Sequence, residues 1–219
     1  MWGIPDISHF GIDIFETYFA LSKGYKVKQA FLGVKDHDPK DPSSQLASMF
    51  RQVTNTMFTC IEQYELTWKV IHGVSKIETF GEIKYDNIPE PIVVSLPATV
   101  EAFKNNYDRY LPIYKSFLEQ EIQDRFERLK QLGNSNIDFP SEAWVKTVYS
   151  FIAEFHNGSA FGRDKLIDAL RVLWIGRVGA FLQETWDQSR DECENKILKE
   201  AQVFAEMKPY LIEKYYSKN

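Results

Sequence analysis

Apolar positions recur at helical spacing over most of this chain, and one early segment alternates instead. In residues 9–23, Phe10, Ile14, Phe15, Tyr18, Phe19 and Leu21 share a broad apolar face, with Ser8 placed to cap the start and Gly24 to stop the end. That pattern predicts a helix of about four turns. Residues 25–34 alternate at first, Tyr25, Val27 and Gln29 against Lys26 and Lys28, and then turn apolar, which predicts the best strand in the chain. A polar loop over 35–42 follows. Asp41 and Pro42 suit the N-cap and first position of a long helix reaching about Ile71.

Gly73, Gly81, Pro89, Pro91 and Pro97 then break the pattern, so 73–97 reads as an irregular crossover. Thr99 is placed to cap a helical stretch running to about Leu132, which Pro112 splits or kinks because it lacks a backbone donor. Trp144, Val148, Phe151, Ile152 and Phe155 predict a helix over 140–156, and two further helices are expected at about 162–187 and 189–216. No repeat of fixed period is visible. The expected fold is mainly α: a helical bundle over 43–219, preceded in 1–42 by a small α/β portion of one helix and one clear strand.

Composition narrows the function classes. The chain has 219 residues, 44% of them hydrophobic and 15% aromatic, enough to bury a substantial core without staples. A net charge of −5 and a pI near 5.5 give no global basic field, and no local patch of Lys and Arg stands out, so nucleic acid is set aside as a partner. Cys60 and Cys193 lack metal-ligand spacing and read as reduced core thiols. No apolar run reaches the length of a transmembrane segment and the N-terminus lacks the regions of a signal peptide, which makes the cytoplasm the expected location.

The chemistry is concentrated in the first 42 residues. Asp36, His37, Asp38 and Asp41 crowd one loop, and carboxylate and imidazole groups can complete an octahedral shell around Mg²⁺ or Mn²⁺ when substrate phosphates supply the remaining oxygens. Aspartates beside proline are also ordinary turn and capping residues, and Asp41 is read as a cap, not a ligand. Asp13 sits in the first turn of the first helix, after Gly11. It either complements the helix dipole or, with Gly11 allowing close approach, points into a cleft to accept a proton or hydrogen bond from an acceptor hydroxyl.

The run Phe10-Gly11-Ile12-Asp13-Ile14-Phe15, followed by the apolar strand and Gly33-Val34-Lys35-Asp36-His37-Asp38-Pro39-Lys40-Asp41, resembles the second half of the catalytic domain of GT-A-fold, nucleotide-sugar-dependent glycosyltransferases. The resemblance is to the family-2-like enzymes and the mannosylglycerate and glucosyl-3-phosphoglycerate synthases. It implies that Asp13 faces the acceptor as base or orienting group, that Gly11 lines the acceptor site, and that His37 is a ligand to Mg²⁺ or Mn²⁺ bound with the nucleotide diphosphate. The stretches Leu173–Val178 and Met207–Ile212 resemble, more weakly, the helical extension of such proteins. The nucleotide-binding half that precedes this region in the family, with its Asp-any-Asp motif, is not in this sequence. Asp36-His37-Asp38 has the letters of that motif, but its place after the last strand matches the later histidine.

The resemblance therefore implies the acceptor side of a larger enzyme, taking a nucleotide-sugar donor and a small acceptor, and inactive without the other half. A strand left without its sheet has exposed edges, which makes a homodimer a natural expectation. Elsewhere, Arg177, between Gly176 and Gly179 in an apolar helix, is the better phosphate candidate of the pair Arg163 and Arg177. His9, His72 and His156 are isolated in sequence and carry no assignment, and the aromatic stripes at 144–155 and 204–216 read as core. The rival reading is a non-catalytic helical scaffold or oligomerisation module. A His-Asp phosphohydrolase is disfavoured, because Pro39 opposes helical geometry at Asp38.

Overall fold

The computed structural model describes residues 6–33, 46–75, 77–82, 94–133 and 136–217. The fold is mainly α with a small α/β portion, as the hydrophobic pattern predicts. Ten helices occupy the described residues: α1 (Ile12–Ser22), α2 (Ala47–Gln63), α3 (Glu65–Trp68), α4 (Leu96–Tyr107), α5 (Leu111–Phe117), α6 (Gln120–Gln131), α7 (Ser141–His156), α8 (Arg163–Thr185), α9 (Arg190–Glu206) and α10 (Lys208–Tyr216). A single 3-10 turn, Asp108–Tyr110, joins α4 to α5. None of the described helices is long and apolar enough to cross a membrane.

Helix α8 is the axis of the bundle. Buried side chains run all around it, from Leu166 and Ile167 to Ala180, the pattern of a helix covered on every side. Its glycines let α4 come close: a Cβ at Gly176 would stand 3.1 Å from the Phe103 ring, and one at Gly179 would touch Thr99 and Val100. Aromatic groups fill the space beyond, with Phe126 edge-on to Phe139 and Tyr107 stacked on Tyr114. The buried Tyr114 hydroxyl donates to the Ala169 carbonyl at 2.9 Å, so α5 is tied to α8. On the other side of the bundle α7 packs against α10, and α2 lies along α8.

Several boundaries differ from the sequence expectation for physical reasons. The strand expected over 25–34 is reduced to β1 (Gln29–Ala30), which pairs in parallel with β2 (Thr79–Phe80). With one short partner, the ladder ends where Gln29 N–H donates to Glu78 and Phe31 N–H donates to Phe80. Ser95, not Thr99, caps α4: its hydroxyl accepts from Ala98 N–H, and Pro97 fits the first turn, where its missing donor is not needed. Pro112 does split the 99–132 stretch by opening α5. Pro209 similarly opens α10, dividing the helix expected over 189–216 at Met207. The helix expected to reach Ile71 breaks at Tyr64, and its expected start at Asp41 and Pro42 lies outside the described residues.

Candidate functional site

Gly11 and Asp13 lie at the start of α1, which begins at Ile12 and not after Ser8 as the pattern predicts. Gly11 is its N-cap, and Asp13 is an exposed acid in the first turn. Two hydrogen bonds dock this end on α2: Asn55 Nδ2 donates to Asp6 Oδ2 at 3.1 Å, and Phe10 N–H donates to Gln52 Oε1 at 3.3 Å. Gly11 is buried against Thr56, so its missing side chain serves helix–helix contact, while the Asp13 carboxylate stays at the surface. His37, with Asp36, Asp38 and Asp41, lies outside the described residues. Among the described residues no group of three or more His, Cys, Asp or Glu side chains could hold a metal ion.

Arg177 lies in a different environment from Asp13. It projects from the middle of α8, is 4% exposed, and donates from Nη1 to Glu184 Oε1 at 2.9 Å and to the Phe139 carbonyl at 3.3 Å. Nη2 donates to Glu200 Oε2 on α9. Lys196 reaches Glu184 at 3.0 Å, and Ser141 Oγ donates to Glu200 at 3.1 Å. Burial pulls the guanidinium pKa down, but the Glu200 and Glu184 carboxylates outweigh it and the net shift is upward. Two cations and two carboxylates thus form an internally neutral knot joining α7, α8 and α9.

A second polar cluster joins residues that sequence spacing could not connect. Arg163 Nη2 donates to both oxygens of Glu62, at 2.8 and 2.9 Å, across 101 positions of chain. His156 Nδ1 stands 3.6 Å from Glu62 Oε1, and its ring stacks on Tyr215 at 3.8 Å between centroids. The buried Tyr215 hydroxyl has no hydrogen-bond partner among the described residues, and burial pushes its pKa up. His156 is therefore the end of an α2–α7–α8–α10 junction, which its isolation in the sequence concealed.

One concavity among the described residues is apolar. A cavity of about 520 Å³ opens where α1, α2, α3, α7, α8, α9 and α10 converge, walled by Phe50, Met57, Trp68, Trp144, Trp174 and Phe204 among others. Its size falls within the ~300–1,000 Å³ of small-molecule sites. Few polar groups reach it, and most are engaged: Tyr149 donates its hydroxyl to the Phe204 carbonyl, and Trp68 Nε1 donates to the Ile61 carbonyl at 2.8 Å. Burial pushes the hydroxyls of Tyr18 and Tyr149 up to about 12, so both stay neutral. Lys208, at the head of α10, donates from Nζ to the carbonyls of Trp68 and Ile71, and burial lowers its pKa. The aromatic stripes at 144–155 and 204–216 are core, as expected, but they also face this space.

The structure does not gather these features into one centre. Asp13 belongs to the α1–α2 edge and Arg177 to the α7–α8–α9 knot, and neither is among the described residues that wall the cavity. Comparison with family models, curated proteins and solved structures finds no match for this chain.

Proposed function

We propose that this chain is the acceptor-side portion of a nucleotide-sugar-dependent, cytoplasmic glycosyltransferase, with Asp13 at the acceptor hydroxyl. The observation that supports this reading is the exposed apolar surface around α1 and β1. Leu32 is 94% exposed, and Phe10, Leu21, Tyr25, Phe31 and Phe80 are exposed with it. A parallel strand pair is ordinarily covered on both faces, and two residues per strand do not sustain a sheet alone. Those side chains would be covered by the nucleotide-binding half of a GT-A domain packed on β1 and α1.

On this reading Asp13 accepts a hydrogen bond or proton from the attacking hydroxyl, from a position that is already solvent-facing. The resemblance assigns Mg²⁺ or Mn²⁺ to His37, where the ion would offset charge on the leaving diphosphate. Arg177 is kept by its two carboxylates, so a phosphate would have to displace Glu184 or Glu200 to use it. That closed knot favours a structural Arg177, and it is the feature that speaks for the rival reading of a non-catalytic helical scaffold.

The test is Asp13→Ala in a protein that joins this chain to an in-frame nucleotide-binding half. Sugar transfer lost with an unchanged melting temperature supports the glycosyltransferase. Full transfer by the variant, or sugar transfer by the 219-residue chain alone, overturns this account.

A further inference from the structure

We propose that the cavity among α2, α7, α8 and α10 binds a small amphipathic monocarboxylate, its hydrocarbon body among Trp68, Trp144 and Trp174 and its head at Lys208. The size argument comes first. An apolar cavity of ~150 Å³ stays dry and takes up benzene-sized guests. The present cavity, at about 520 Å³, is roughly three times larger and is walled chiefly by aromatic and aliphatic groups. Water gains few hydrogen bonds there, whereas an alkyl chain gains contact with rings on every side.

The charge argument sets the head group. Among the described residues that line the cavity there is no carboxylate, and Lys208 is the one charged side chain. An ammonium carries three N–H donors. Two are used on the Trp68 and Ile71 carbonyls. The remaining donor suits an anionic oxygen.

The geometry also limits the anion. Lys208 is shared with a smaller hollow of about 390 Å³, whose wall includes Glu206 and Glu213. A dianion such as a phosphate monoester would be repelled by those carboxylates more strongly than a monoanion, which favours a head group of single charge. A single carboxylate joined to an unbranched or ring-bearing hydrocarbon meets both conditions. Trp68 is held in place for it, by its own indole bond to Ile61 and by the Lys208 ammonium 5.7 Å from its ring.

Calorimetric titration of the full chain with decanoate and with decan-1-ol, both below their aggregation limits, tests the proposal. Saturable one-to-one binding of decanoate is expected, about tenfold tighter than the alcohol, the effect of one charge-assisted hydrogen bond. Lys208→Met should bring decanoate to the affinity of the alcohol, and Lys208→Arg should restore the preference. No saturable binding of decanoate, or a preference that survives Lys208→Met, overturns it. Because binding and not sugar transfer is read, this result is independent of the glycosyltransferase reading.

Discussion

Gly11 and Thr56 meet at the crossing of α1 and α2 so closely that a Cβ built on Gly11 would lie 2.1 Å from the threonine Oγ1 and 2.9 Å from the Asp6 carbonyl. One of those neighbours is backbone, so rotating the threonine cannot relieve the clash. Gly11→Ala is therefore expected to destabilise the chain by about 1–3 kcal/mol, the usual cost of overpacking. Urea denaturation followed by circular dichroism measures it. An unchanged midpoint would show that α1 shifts freely on α2, and would return Gly11 to a role in admitting a ligand.

Arg177 is nearly fully buried, and each of its terminal nitrogens meets a carboxylate. Removing one partner of such a pair leaves an uncompensated buried charge, a loss of about 3–5 kcal/mol. Arg177→Met is accordingly expected to lower the melting temperature sharply, and the triple change with Glu184→Gln and Glu200→Gln to recover part of the loss. If Arg177 instead serves a substrate phosphate, Arg177→Lys in the complete enzyme would raise KM while leaving the melting temperature in place.

The elements most legible in the sequence were those whose signal is local. Helix α7 shows in the spacing of Trp144, Val148, Ile152 and Phe155, and the break at Pro112 follows from its missing donor. The strand is shorter than its pattern predicts because alternation in residues 25–34 reports an intrinsic preference, while strand length depends on a partner, and among the described residues only Thr79–Phe80 pairs with it. The pattern points to Thr99 and not to the observed cap, Ser95, because Ser95 falls within the stretch broken by Gly and Pro that ends at Pro97. At the site level, the motif singles out Gly11 and Asp13, and the structure locates them at the start of α1 without testing their proposed roles. Lys208, Glu62 and His156 do not stand out, because their contacts join positions about 94 to 140 residues apart, which no window of sequence contains.

Glu119 links the start of α6 to the end of the chain, its Oε1 3.0 Å from Lys214 Nζ and its Oε2 3.6 Å from Lys146. Partial burial pulls its pKa up, but the bond and charge of Lys214, with Tyr210 and Lys146, outweigh that and hold it below the ordinary 4.5. A carboxylate depressed in the folded state stabilises the fold above its unfolded pKa and loses that contribution as pH falls through the folded value. Denaturation midpoints should therefore fall between about pH 5 and about pH 3, and Glu119→Gln should flatten that part of the curve while lowering stability at neutral pH. Parallel curves for the two proteins would show that Glu119 does not stabilise the fold through these lysines.

Leu32 stands 94% exposed beside Phe31, with Phe80 on β2, both about half exposed, and among the described residues β1 has a partner on one edge only. A short strand with an open edge and an apolar flank is a template for pairing with a second chain. Each fully covered Leu or Phe side chain gains about 1.5–3 kcal/mol, so even partial covering of this group favours association at high concentration. The 219-residue chain is thus expected to dimerise as its concentration rises, by light scattering or sedimentation, and Leu32→Asp to shift the midpoint to higher concentration. Joining the chain to a nucleotide-binding half should suppress the dimer, because both partners would compete for the same residues. A chain that stays monomeric at all concentrations would count against the dimer. A dimer that persists unchanged in Leu32→Asp would place the interface elsewhere, and would remove the exposed surface around β1 as support for a missing catalytic half.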